Sequence, residues 1–181
     1  MTLRRATLLA LLLSALNLAG CRDDHPPIAL AEDVDLERFM GDWYVIANIP
    51  TRLEREAWGA VESYRLEPDG TIATTFTFRK GGFDGERKQY NPRGFVRPGT
   101  GNAVWGMRFV WPVKADYRIA WLAPDYSQVV IGREARDYVW IMAREPSIPE
   151  ADYERLVEFV AQQGYDASKI QRVPQRRQGG V

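Results

Sequence analysis

From Trp43 to Arg144 the chain reads as short runs in which apolar and polar side chains alternate, separated by Gly, Pro, Asn and Asp at nearly regular intervals. A period of two marks half-buried strands, and regular punctuation marks an antiparallel meander. The runs are 43–49, 57–66, 71–79, 88–96, 103–110, 117–122, 128–132 and 138–144. Alternation is clearest in the third and fifth. Ile72, Thr74, Phe76 and Phe78 share one face, as do Ala103, Trp105, Met107 and Phe109, while Thr71, Thr75, Thr77 and Arg79, and Gly106 and Arg108, take the other. Strands apolar on one side and polar on the other predict an all-β fold, an eight-stranded antiparallel up-and-down barrel. Pro68-Asp69-Gly70 and Pro98-Gly99-Thr100-Gly101 supply hairpin turns, proline presetting φ and glycine accepting positive φ.

The period then changes. Ser147-Ile148-Pro149-Glu150 has the spacing of a capping box and Gly164 that of a helix terminator, which predicts one C-terminal helix over about 148–163. Tyr153, Leu156, Val157 and Val160 form its apolar stripe. The first strand is apolar on both faces, with Trp43, Val45 and Ala47 opposite Tyr44 and Ile46, so the helix is expected on the outer wall there. A last short strand over 169–173 would cover a barrel edge.

The N-terminus obeys another grammar. Arg4 and Arg5 precede an apolar run from Ala6 to Leu18, too short to span a bilayer, and Leu18-Ala19-Gly20-Cys21 closes it. Residues 1–20 are therefore read as a signal peptide, 21–35 as a tether, 36–174 as the domain and 175–181 as a flexible tail. Fully extended, the proline-bearing tether would reach about 45–50 Å. Cys21 is the only cysteine, which is unusual in a secreted chain where disulfides are expected. The segment resembles the lipobox of bacterial lipoproteins, which implies lipidation of Cys21 and a membrane partner held through that anchor. Arg22, where an aspartate would retain the protein in the inner membrane, implies the outer membrane.

Composition narrows the function. The 24 Lys and Arg balance the 24 Asp and Glu, so no global field draws in nucleic acid. The one histidine, His25, falls in the tether, and no G-x-S-x-G elbow occurs, which removes the parts of a Ser-His-Asp hydrolase. No His or Cys cluster calls for a metal, and no cofactor is expected. The expectation is a protein that is not an enzyme.

Three motifs carry a family resemblance. They are Gly41-Asp42-Trp43-Tyr44 after Leu36-Glu37-Arg38-Phe39, Ala123-Pro124-Asp125-Tyr126 between the sixth and seventh strands, and Arg144 ending the eighth. With 137–146 and 163–166, the chain from Leu36 to Val173 resembles the lipocalins, and among them the bacterial outer-membrane lipoproteins. Pro124 stands where that family has threonine. The resemblance implies a barrel floor built from Gly41, Trp43, Asp125, Tyr126 and Arg144, with the arginine lying across the tryptophan. It also implies a small hydrophobic ligand, a fatty acid or lysophospholipid, handled in membrane maintenance under stress by a protein facing the periplasm. A homodimer is allowed.

Strand parity nominates Val45, Ala47, Phe76, Phe78, Met107, Phe109, Ile119, Trp121, Tyr138 and Trp140 as ligand-lining side chains. A slip of one residue inverts every such assignment. A barrel of this size either fills with its own side chains or holds one small ligand, so a packed structural envelope lipoprotein is the alternative to a carrier. Mixed charge in the loops at the predicted mouth suits either a zwitterionic or anionic head group or a solvated rim.

Overall fold

The computed structural model describes residues 25–176; the signal segment, Cys21 and residues 177–181 lie outside the described residues. Strands β1 (Gly41–Ile49), β2 (Ala57–Leu66), β3 (Ile72–Lys80), β4 (Arg87–Tyr90), β5 (Arg93–Val96), β6 (Val104–Val110), β7 (Val113–Leu122), β8 (Gln128–Gly132) and β9 (Val139–Ala143) follow as an antiparallel meander, and β9 returns to pair with β1. The sheet is thereby closed into a barrel, although β4 pairs only with β3. Strands β4 and β5 are two halves of one barrel strand. Pro92 interrupts it, having no N–H to give the ladder, although its carbonyl still accepts from Thr74 N–H at 3.1 Å. The single run expected over 88–96 is thus a broken strand.

Two bulges set which way side chains face. Between β1 and β9 the register passes from Val45 opposite Met142 to Ala47 opposite Ile141, which leaves Ile46 as an extra residue. Between β7 and β8 it passes from Ile119 opposite Ile131 to Trp121 opposite Val130, which leaves Ala120 extra. Beyond each bulge the parity inverts.

Helix α1 (Leu36–Phe39) is a single turn beneath the barrel, with the Asp35 carboxylate accepting from Glu37 N–H at 3.0 Å and Arg38 N–H at 3.2 Å. Helix α2 (Glu150–Gln162) packs on the outer wall. Leu156 and Val160 are buried with Ile46, Ala47, Ile49, Ala120, Val130, Val139 and Ile141, across the seam where β9 meets β1. The capping box does not form. The helix starts later than the motif predicts, Pro149 occupies the N-cap, and no side chain caps the first turn.

The segment expected as a tether is largely part of the domain. Ile28 and Val34 are buried, Ala31 N–H donates to Ile119 C=O at 2.9 Å, and Val34 N–H donates to Gly101 C=O at 2.8 Å. Apolar side chains in an otherwise polar stretch gave the strap a place to adhere. At the other end β10 (Gln171–Arg172) pairs with β1 at Ala47 and Asn48. Here β1 and β2, paired only from Gly41 to Tyr44, have separated. The Gln175 amide bridges the gap, donating to Val45 C=O and Ala60 C=O at 2.9 Å each, and Arg176 pairs with Asp84. The first two residues of the predicted flexible tail therefore stitch the wall.

Candidate ligand cavity

The lower half of the barrel is filled by aromatic rings. Phe39 lies 5.1 Å from Trp43, 5.5 Å from Tyr64 and 5.4 Å from Trp105, and Trp105 stacks on Tyr117 at 5.1 Å. Beneath them Trp43 Nε1 donates to Phe39 C=O at 2.9 Å. The Arg144 guanidinium lies over the Trp43 ring, 3.9 Å from its centroid, and donates to the carbonyls of Arg38 (2.8 Å), Phe39 (3.0 Å), Met40 (2.8 Å) and Asp42 (2.9 Å). One planar cation thus collects the C-terminal carbonyls of α1 and the first turn of β1. Partial burial lowers its proton affinity, and Asp42 opposes that effect. Gly41 takes φ +94°, and a Cβ there would stand 3.3 Å from Arg144 Nη1.

The Asp125-Tyr126 pair belongs to the same end. The Asp125 carboxylate accepts from Ser127 N–H at 3.0 Å and Ser127 Oγ at 2.6 Å, which holds it below the usual carboxylate range. The Tyr126 hydroxyl accepts from Asp35 N–H at 2.9 Å, and Arg38 covers its ring at 4.0 Å. All five floor-motif residues therefore gather around α1 and shut the barrel below.

Above the aromatic plug the barrel is hollow. A cavity of about 340 Å³ opens among the β1–β2, β6–β7 and β8–β9 connections, within the usual range for small-molecule sites. Phe76, Met107, Phe109, Tyr138 and Trp140 line it. Phe78 instead faces a neighbouring recess with Tyr90, while Val45 and Ile119 are packed inside the barrel away from the cavity wall. Ala47 and Trp121, nominated by parity, face outward: each stands just past a bulge, Ala47 in the layer under α2 and Trp121 beneath Arg155 of that helix at 5.1 Å.

The cavity's inner end carries a polar group that strand parity did not select. Glu62 of β2 reaches the Tyr64 hydroxyl, which lies 2.7 Å from the Tyr117 hydroxyl. Glu62 borders the cavity and is half-buried. Burial, reinforced by the charge of Glu54, pushes its pKa from 4.5 up to about 8. Burial, with Glu62 adding to it, also pushes the Tyr117 hydroxyl well above its ordinary value. Nearer the mouth the buried Glu54 accepts from Trp140 Nε1 at 2.8 Å and from Thr51 N–H at 2.9 Å. Arg52 and Arg133 stand on the rim. The sequence signal for Glu62 was the face Ala60-Glu62-Tyr64. It was ambiguous because the opposite face, Val61-Ser63-Arg65, also carries one charge.

A closed antiparallel barrel, plugged by aromatics below and hollow and apolar above, is a binding protein for small hydrophobic ligands. A family model for the lipocalin-like domain matches residues 34–175, and the chain belongs to that family. Temperature-induced lipocalin-1 of Arabidopsis thaliana is 32% identical over 158 residues, covering 81% of this chain and 82% of that protein. The outer membrane lipoprotein Blc of Escherichia coli is 26% identical over 180 residues, covering 93% and 96%. Among solved structures, insecticyanin of Manduca sexta superposes with a TM-score of 0.65 at 17% identity, over 84% of this chain and 86% of that one, a likeness of fold.

Proposed function

We propose that the protein carries one single-chain lipid, a fatty acid or lysophospholipid, within a bacterial envelope. The observation that carries this reading is the apolar cavity of about 340 Å³, open at one end only. Its volume lies near the lower limit of the roughly 300–1,000 Å³ typical of small-molecule sites, which suits one acyl chain better than two. Charge sets the direction of entry. Arg52 and Arg133 attract an anionic head group at the rim, whereas the inner end offers only the aromatic plug and a Glu62 carboxyl that burial keeps largely protonated near neutral pH, so the tail enters first.

The N-terminal lipobox and the relatives named outer membrane lipoprotein support an anchor on Cys21 and an outer-membrane location. A role in membrane maintenance under stress is in keeping with the relative named temperature-induced lipocalin. The test is to purify the protein without detergent, identify extracted lipid by mass spectrometry, and titrate delipidated protein with a fluorescent fatty acid. Saturable binding at one site, displaced by lysophospholipid, is expected. Absence of binding in a folded sample would instead make this a structural lipoprotein.

A further inference from the structure

Six large hydrophobic side chains stand exposed among the described residues, and five of them lie at the mouth. Phe109, Val110, Trp111 and Val113 form the tip of the β6–β7 hairpin, with Val110 73% and Trp111 78% exposed, and Leu53 protrudes from the β1–β2 connection. Scattered apolar residues are ordinary on a protein surface, but a projecting cluster confined to one end marks a contact with something apolar.

The path of the chain shows what lies there. At the mouth end Pro26 C=O accepts from Arg136 of the β8–β9 connection, and the His25 ring packs over Gly164 at the C-terminal end of α2. From there the strap descends along β7 to the floor, where Asp35 meets Tyr126. The described chain therefore starts at the mouth, and Cys21 stands only four residues earlier. Four extended residues reach about 14 Å, much less than the stand-off a free tether over 21–35 would give.

Charge at this end agrees. Glu56, Asp84, Glu86, Glu134 and Asp137 are each engaged in an ion pair. Arg52 and Arg55, beside Leu53, form none among the described residues, whereas Lys114 and Arg108, on the strands leading to the tip, turn their charges back over the Phe95 ring at 3.8 and 4.6 Å. Long cationic side chains beside an apolar tip can place their stems against acyl chains and their heads among phosphates.

We infer that the barrel docks mouth-down on a lipid bilayer, inserting the Phe109–Val113 tip and Leu53, so that ligand passes between membrane and cavity without crossing water. The direction of docking rests on the anchor reading of Cys21, and the tip is testable without it. The fold of residues 25–176 is built from its own contacts, so a chain beginning at residue 22 serves as an unanchored form. In flotation with mixed phosphatidylethanolamine and phosphatidylglycerol vesicles it should bind. The double variant Val110→Ser with Trp111→Ser should bind at least about tenfold more weakly, as expected from withdrawing two apolar side chains from lipid. Its affinity for a fluorescent fatty acid in solution should stay unchanged. Equal flotation of the two chains, or no binding by either, overturns the inference, as does a tip that only holds a dimer together, seen as a monomeric variant with undiminished flotation. Loss of fatty-acid binding in both chains with flotation intact would strike the carrier reading and leave the docking standing. In the lipidated protein on brominated-lipid vesicles, Trp111→Phe should remove most of the quenchable fluorescence; unchanged quenching would show that the mouth points away from the membrane.

Discussion

Replacing Glu62 by Gln should flatten the pH dependence of stability between about pH 5 and 8. In the folded protein the Glu62 carboxyl has a pKa raised from 4.5 to about 8, so the folded state binds a proton that the unfolded chain has released. Its contribution is complete below pH 4.5 and declines as pH rises to about 8, by up to about 1.4 kcal/mol per pH unit. The whole shift, from burial and the Glu54 charge together, corresponds to about 5 kcal/mol. The Tyr64 hydroxyl opposes it, because a donor to the carboxylate favours the charged form, and so does water admitted by the cavity. We therefore expect about 2–4 kcal/mol. Urea denaturation of both chains at several pH values from 5 to 9 measures this directly, since groups common to the two cancel in the difference. The wild type should lose stability relative to Glu62→Gln as pH rises, and fatty-acid affinity should fall above pH 8 in the wild type alone. A stability difference that stays constant with pH would refute the reasoning.

Three other substitutions test separate parts of the barrel. Arg144→Lys keeps the charge but not the planar fork that serves four carbonyls, and should lower unfolding stability by about 2–4 kcal/mol in urea titration. Ala115→Trp projects a large ring into the cavity and should abolish fluorescent fatty-acid binding while the far-ultraviolet circular dichroism and the urea midpoint stay near wild type. Ala47→Phe should do the reverse, costing about 1–3 kcal/mol by overpacking beneath α2 while ligand affinity in the folded fraction is retained; lost affinity would mean that Ala47 faces the lumen.

What could be read from the sequence depended on whether a local rule or a long-range contact decided the outcome. The strands β3 and β6 carried the clearest alternation, and Phe76, Phe78, Trp105 and Met107 are buried inside the barrel. The Trp43–Arg144 contact joins residues 101 positions apart and came from the family resemblance; no local pattern announces it. Bulges at Ile46 and Ala120 are silent in the sequence, because each merely inserts one more apolar residue in an apolar strand. The strap at 25–35 was hidden for a related reason. Its apolar residues, the run Ile28-Ala29-Leu30-Ala31 and then Val34, follow the period of neither a strand nor a helix and acquire meaning only against the folded β7 and the loop at Gly101.

Those same two bulges connect the wall to the cavity. An extended strand sends alternate residues inward, so without a bulge each of β1 and β7 would deliver one more side chain to the lumen. Instead Ile46 with Ala47, and Ala120 with Trp121, turn two successive residues outward, where they belong to the cluster that seats α2. Each bulge subtracts bulk from the interior and adds it to the outer layer. The seat of the helix and the room in the cavity thus both follow from these two bulges. The aromatic plug supplies the complement: Trp43, Tyr64, Trp105 and Tyr117 concentrate packing below, so that the upper barrel can stay hollow without the whole losing its core. A hollow upper half leaves the mouth loops with few interior side chains to rest on, and their apolar residues are the ones left exposed to meet a surface of another kind.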